Sequence, residues 1–290
     1  MAFGQVLVNW LLLGSLYGAV ALGFSLVWGI MNIVNLAHGA FIIVGAYTAF
    51  WLYTQLHLDP YISIPLTMVV LFAMGWIVQY AAINRVIRAP ILVTFLLTFG
   101  LDLLIADLVQ QFFTSDLRSI NTTYAGNGLD IGATHIAFDH LIAAAIAVAL
   151  TAALNYFLTR TRTGNAILAT GMDRDAARLM GISIRKSYAM TFGIGAALAG
   201  AAGAMLSELY PFDPSSGDAF TLRAFVIVVL GGLGTPWGTL AGGLVFGFAE
   251  TVVPLLPGVG PGYDDAIAFA VLVAILIIRP NGLLGKPYYG

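Results

Sequence analysis

The sequence predicts an all-α polytopic membrane protein with about nine crossings (range about 8–10) and two broken or re-entrant segments. Three observations carry this expectation. Hydrophobic residues make up 60% of the 290-residue chain and charged residues 9%, whereas a soluble domain carries roughly a quarter charged residues. The mean hydropathy is +0.92. Apolar runs of about twenty residues, the length needed to cross a hydrocarbon core of roughly 30 Å, follow one another along the chain. The whole of 1–290 therefore reads as one transmembrane domain. Cysteine is absent, which excludes disulfides, iron–sulfur clusters and thiolate metal sites.

The first run, 6–30, has no basic residue before it and is too long for a cleaved signal peptide, so it reads as a retained span. Further runs lie at 36–54, 61–82, 91–113, 138–158, 188–209, 220–232, 236–253 and 264–279. Arg85 and Arg88 separate the third from the fourth; Arg160, Arg162, Arg174, Arg178, Arg185 and Lys186 fill the segment between the fifth and sixth. The positive-inside rule places both segments in the cytoplasm. The strings around Asp59, around Asp213 and Asp218, and around Asp264 and Asp265 carry acids without bases and are expected outside. Arg279 and Lys286 bring the tail back inside. This alternation puts the N-terminus out and the C-terminus in, provided that 220–232 and 236–253 cross separately. Arg118 and Arg223 are its two exceptions.

Two interruptions carry no charge: "IMNIVN" (30–35) and "GGLGTPWG" (231–238). Irregular backbone at membrane depth is tolerated only where protein or a water-filled cavity satisfies its polar groups. The first interruption leads into "LAHG" and the second into "LAGG". Such paired interruptions in two halves of a chain point to a translocation path. Asn32, Asn35, His38, Gly231 and Gly234 are accordingly candidates for lining it. A structural reading stands beside this one: Asn32 stabilises the turn, Asn35 caps the following helix, and His38 packs its ring and bonds a neighbouring helix.

Asp102 and Asp107 lie in the fourth run without a basic partner. Intramembrane carboxylates are functional candidates by default; here they serve a proton relay or a substrate ammonium group, or pair with Arg223 as structural glue. Glu208 and Glu250, at span ends, read as interface residues. Small residues at four-residue spacing, Gly14 with Gly18 and Gly195 with Ala199 and Gly203, predict close helix packing.

The basic segment 159–187 contains a short helix from Asp173 to Met180, ended by Gly181. Ala176, Ala177 and Met180 offer it an apolar face, and Ile182 re-anchors the chain. Such a helix either rests on anionic lipid or projects towards a soluble partner.

At this point a resemblance enters. "GFSLVWGIMNIVNLAHGAFIIVGAY", "DAARLMGI" with the later "GAALAGAAGAM", and "VIVVLGGLGTPWGTLAGGLVFGFAE" resemble, in order, three stretches of the permease subunits of bacterial and archaeal ABC importers for branched-chain amino acids. The likeness runs from Leu13 to the C-terminal "RPNGLLG". The "NLAHG" form is similar to the type that pairs with a second, distinct permease. The resemblance implies that Asp173, Ala176, Ala177, Met180, Gly181 and Ile182 belong to a coupling segment that docks on an ATP-binding subunit, within the cytoplasmic loop 159–187. It also implies a second permease, two ATP-binding subunits and an external substrate-binding protein, with membrane lipid around them and no nucleic acid. The chain lacks "GxxxxGK[ST]", so ATP and magnesium are expected on the partner ATPases, with no cofactor, metal or catalytic residue in this chain. "GTPW" departs from the commoner form of its motif at Thr235 or Trp237, and relatives carry urea, amides and aromatic acids besides leucine, isoleucine and valine. The substrate class is therefore branched-chain or related small amino acids or amides, in a bacterial or archaeal cytoplasmic membrane. The rival expectation is a self-contained proton-coupled secondary transporter. An intramembrane hydrolase lacks "GxSxG" and "HExxH" signatures.

Overall fold

A computed structural model describes residues 3–252 except 88 and 133, together with 255, 266, 269–270, 273–274, 277, 279 and 282–285. Arg88, Asp264, Asp265, Lys286 and most of the run 264–279 lie outside the described residues. The elements in order are α1 (Phe3–Met31), α2 (His38–Leu56), α3 (Pro60–Val78), a π turn (Gln79–Ile83), α4 (Asn84–Val86), α5 (Ile91–Phe113), β1 (Gly128–Ile131), β2 (Thr134–Ala137), α6 (Phe138–Arg160), α7 (Arg162–Met172), α8 (Arg174–Leu179), α9 (Ile184–Leu209), a 3₁₀ turn (Pro214–Ser216), α10 (Gly217–Gly231) and α11 (Pro236–Val252). The all-α polytopic fold is as the composition predicts. A small antiparallel hairpin, with Leu129 opposite Ile136, is its exception.

Six of the described helices are long and apolar enough to cross a membrane. The expected separate crossings of 220–232 and 236–253 are instead one bent pair, α10 and α11, with a bend of 113° at the break. With 15 and 17 residues they rise only about 22 and 25 Å, short of a hydrocarbon core of about 30 Å. The described residues thus hold six full spans and this pair, and a count of nine is not found among them. The alternation of acidic and basic segments had called for two crossings here; the chain instead turns at glycines with positive φ, Gly232 and Gly234, into a V.

α1 and α9 form the centre of the bundle, and small residues let neighbours reach their backbones. Gly14 and Gly18 of α1 meet Leu244 and Leu240 of α11, and Gly243 sits against Gly18, so α11 runs antiparallel to α1. Gly23 abuts Gly195 of α9, Gly45 of α2 abuts Gly200, and Gly203 abuts Ile42. A methyl group at Gly23, Gly203 or Gly243 has no room, which is the physical sense of the small-residue spacing. Ala199 is fully buried in the same interface.

The other spans are covered less. α3 leaves Ile62, Leu66, Val69, Ile77 and Tyr80 exposed along one face, and α5 leaves Leu92, Leu96, Phe99 and Leu103 exposed. In a membrane these faces meet lipid tails or another subunit. The segment before the hairpin is tied to the segment after α9: Arg118 and Phe212 exchange backbone hydrogen bonds at 2.9 and 2.8 Å, and the Arg118 guanidinium lies 5.2 Å from the Phe50 ring centroid.

Candidate functional site

Two helices begin inside the bundle instead of at its surface, and their starts touch. α1 ends at Met31, and Asn32 follows with φ 56°, its N–H still bonded to the Trp28 carbonyl at 3.0 Å. Asparagine tolerates this left-handed turn better than most residues. The chain then doubles back along α1. His38, the first residue of α2, places Nε2 2.8 Å from the Val20 carbonyl, level with the middle of α1. Ile33, Asn35 and Ala37 are buried on the way, and Thr98 of α5 donates to the Val34 carbonyl at 3.1 Å.

On the other side, α9 ends at Leu209 and the chain returns along α2. Phe212 packs edge-on against Tyr47 and Phe50, with ring centroids at 5.0 and 6.3 Å. Asp213 and Ser216 close a capping box around the 3₁₀ turn. Gly217, the first residue of α10, lies against Gly39, the second of α2. One side chain then serves both helices: Thr221 accepts the Gly39 N–H at 2.8 Å and donates to the Leu36 carbonyl at 3.1 Å.

The expected cap by Asn35 is therefore absent. Asn35 contributes its backbone carbonyl to the His38 N–H at 3.2 Å, its side-chain Oδ1 is buried without a hydrogen-bond partner, and the helix start is satisfied by Thr221, 182 residues further on. His38 does what a packed histidine does. It is buried, its ring is edge-on to Phe24 at 5.5 Å, and Trp28 stacks on Phe225 of α10 at 5.3 Å. These rings form an apolar wall beside the junction.

Asp102 of α5 faces this junction, within reach of the Ala40 backbone N–H and of the Asp218 carboxyl. Asp218, from the segment expected to face outward, is exposed in the first turn of α10, where acids favour the helix dipole. Helix starts carry partial positive charge, so each carboxyl has a helix N-terminus beside it. Asp107 is not part of this group: it is exposed on the opposite side of α5. Nor does Asp102 pair with Arg223. That guanidinium lies 3.5 Å from Glu250 of α11 and 3.2 Å from the Tyr17 hydroxyl, tying α10, α11 and α1 together. Glu208 accepts from Thr122, again joining elements.

Gly231 and Gly234 lie at the second break, away from Asp102. Gly232 and Gly234 take φ values of 99° and 72°, and Gly234 contacts Gly29 near the end of α1. The last carbonyls of α10 are satisfied by the tail: Leu283 N–H bonds Leu230 at 2.8 Å and Leu284 N–H bonds Gly231 at 3.1 Å. Trp237 is half exposed.

The basic loop holds the second candidate region. Asp173 caps α8, accepting from the Asp175 and Ala176 N–H groups at 2.9 and 3.0 Å. The helix ends in a Schellman motif: Gly181 has φ 81°, its N–H bonds Arg178 at 3.0 Å, and the Ile182 N–H bonds Ala177 at 3.1 Å. This closure satisfies the terminal carbonyls of so short a helix. Ala177 is buried and so leaves the projecting face, which consists of Ala176 with Leu179 and Met180, 88% and 82% exposed. Leu179 had not been singled out from sequence; the helix period places it there because Ala177 points inward. Ile182 is partly buried.

At the hairpin end, the His135 N–H donates to Gln5 Oε1 at 2.7 Å and Gln5 Nε2 donates to the His135 carbonyl at 3.0 Å, pinning the start of α1. His135 Nδ1 lies 2.7 Å from Asp130. This hydrogen bond raises the imidazole pKa above its ordinary value.

The family described as "Branched-chain amino acid transport system / permease component" matches residues 6–276. The high-affinity branched-chain amino acid transport system permease protein BraD of Pseudomonas aeruginosa is 33% identical over 98% of this chain and 96% of its own length. The corresponding permease protein LivH of Escherichia coli is 29% identical over 98% and 96%. A probable branched-chain amino acid transport permease protein LivH of Methanocaldococcus jannaschii is 26% identical over 97% and 92%. No solved structure matches the chain.

Proposed function

The chain belongs to the family of permease components of branched-chain amino acid transport systems, and from that premise we propose that it forms half of the transmembrane path of an ATP-driven importer. Its cargo is branched-chain amino acids or related small amino acids and amides. A second permease completes the path, two ATP-binding subunits hold ATP and magnesium, and an external binding protein delivers substrate. The basic loop and Arg85 face the cytoplasm of a bacterium or archaeon, with the N-terminus outside and the C-terminus inside, because a V that enters and leaves on the outer side keeps the same alternation as two crossings.

The observation that carries this reading is the shape of α8. This six-residue helix, closed at both ends, packs inward through Ala177 and leaves Leu179 and Met180 in solvent. Exposed apolar knobs on a rigid, capped helix suit a groove on another subunit. ATP-driven closure of the ATPases then moves α8, and α7 and α9, on either side of it, carry the movement into the bundle.

The junction of α2 and α10 suits the path. A zwitterionic amino acid meets carboxyls for its ammonium group at Asp102 and Asp218, and the partial positive charge at the starts of α2 and α10 favours its carboxylate. The aromatic wall of Phe24, Trp28 and Phe225 offers an apolar surface to its side chain. Alternating access follows if the two helix starts part as the subunits rock. Asp107, exposed at membrane depth, faces the second permease, because a carboxyl turned to lipid tails is costly. Reconstitution tests the reading: the assembled complex in liposomes accumulates substrate with ATP, and the purified permease alone accumulates none on a pH gradient. Uptake by the permease alone would favour the proton-coupled alternative.

A further inference from the structure

A cavity of about 510 Å³ lies between α4, α8 and the start of α9. Four arginines line it, Arg85 from α4, Arg174 and Arg178 from α8 and Arg185 from α9, together with Ser183 and one acid, Asp175. Among the described residues none of the four arginines makes an ion pair. Four exposed guanidinium groups against one carboxyl leave the hollow with an excess of positive charge that favours an anion. We propose that this cavity binds the phosphodiester headgroup of an anionic phospholipid, which ties the coupling helix to the end of α3.

Three further observations favour a lipid over other anions. First, the cavity lies at the foot of an apolar face. Ile62, Leu66, Val69, Ile77 and Tyr80 of α3 and its π turn are all exposed, at spacings that place them along one side of the helix. Arg185 lies over the Tyr80 ring at 3.9 Å, so the stripe runs into the wall of the cavity. A headgroup among the arginines can lay its acyl chains along that stripe without leaving the membrane. Secondly, a basic pocket between helices at the arginine-rich end of a membrane protein is where anionic headgroups bind, and guanidinium groups match phosphate oxygens with paired hydrogen bonds. Thirdly, Arg174 and Arg178 line the cavity whereas Leu179 and Met180 do not, and Leu179 and Met180 stand in solvent. The docking knobs and the cavity therefore use different faces, and a lipid can stay in place while another subunit is engaged.

The arginines come from three separate elements, so the bound phosphate acts as a clasp. Losing it frees α8 from α4 without altering any side chain of the docking face. Lipid retention is read without transport, so the inference stands or falls apart from the importer reading.

The test is native mass spectrometry of the full chain, purified with its associated subunits from nanodiscs of mixed phosphatidylglycerol and phosphatidylcholine. Wild type should retain phosphatidylglycerol in preference. At about five-fold per arginine near an anionic surface, the double variant Arg85→Gln/Arg185→Gln should retain roughly 25-fold less, while Arg162→Gln, outside the cavity, should match wild type. Photoreactive phosphatidylglycerol on wild-type protein gives a measurement that no folding defect can confuse: labels should fall in peptides spanning 80–87 and 174–188. Equal retention by the double variant, or labelling scattered elsewhere, overturns the proposal. So does full protection by inorganic phosphate or glycerol phosphate at the lipid's own concentration, which would make a free anion the ligand. Loss of the label when the ATP-binding subunits are present also overturns it, because the arginines would then belong to a protein partner.

Discussion

Thr221 reaches across the bundle to Gly39: its hydroxyl accepts the Gly39 N–H at 2.8 Å while donating to the Leu36 carbonyl at 3.1 Å. One hydroxyl thus supports the start of α2 from within α10, at the place where both helices begin. Thr221→Val keeps the volume and leaves a buried donor and a buried acceptor unmet, a cost of about 1–3 kcal/mol. The purified complex should melt at lower temperature and transport less, and Thr221→Ser should restore both. A Val variant as stable as wild type would remove Thr221 from this role.

Asp102 and Asp107 occupy one helix but opposite sides of it, and only Asp102 faces Asp218 and the Ala40 N–H. Asp102→Asn removes a charge from the junction and should lower ATP-driven uptake about ten-fold or more, the scale of a hydrogen bond to a charged group. Asp107→Asn should instead alter the association of the two permeases, read by cross-linking. Uptake assays with assembly controls check both, and equal transport losses with full assembly would contradict the assignment.

His135 titrates high because of its hydrogen bond to Asp130. A group with a raised folded-state pKa contributes stability below its unfolded value, about 6.5, and that contribution is lost as pH rises through the folded value. The hairpin should therefore loosen as pH rises from about 6.5 through the raised folded-state value. Hydrogen-exchange protection at residues 128–137, corrected for the intrinsic pH dependence of exchange, should fall as that value is passed, and in Asp130→Asn this pH-dependent fall should be absent.

Some of this architecture was legible in the sequence, and the reasons differ by residue. Pro90 and Thr114 bound α5 where an apolar run simply stops, so its limits are local facts. Asn32 announces a left-handed turn, and Gly181 a helix stop, because each residue type is favoured by the backbone it must adopt. The segment of Asp213 and Asp218 is not the open loop that its place between apolar runs suggests: it folds back along α2 and starts α10. The Thr221 cap and the Arg223 pairing with Glu250 join residues far apart in the chain, and no local period reports such a contact. Ala177 was misassigned to the exposed face for a related reason: an alanine fits either side of a short helix, and only the packing beneath α8 decides.

The central claim is that α8 transmits the work of ATP hydrolysis to the permease, and Gly181 tests it most directly. Its added Cβ would meet nothing within 4 Å, so Gly181→Arg costs the chain only the strain of φ 81°, about 1–2 kcal/mol, while placing a bulky charge at the tip of the docking helix. The measurement is ATP hydrolysis stimulated by the binding protein, together with substrate uptake, in proteoliposomes of the complete complex. The account predicts that an assembled Gly181→Arg complex loses both. Stimulated hydrolysis and uptake at wild-type rates would contradict it.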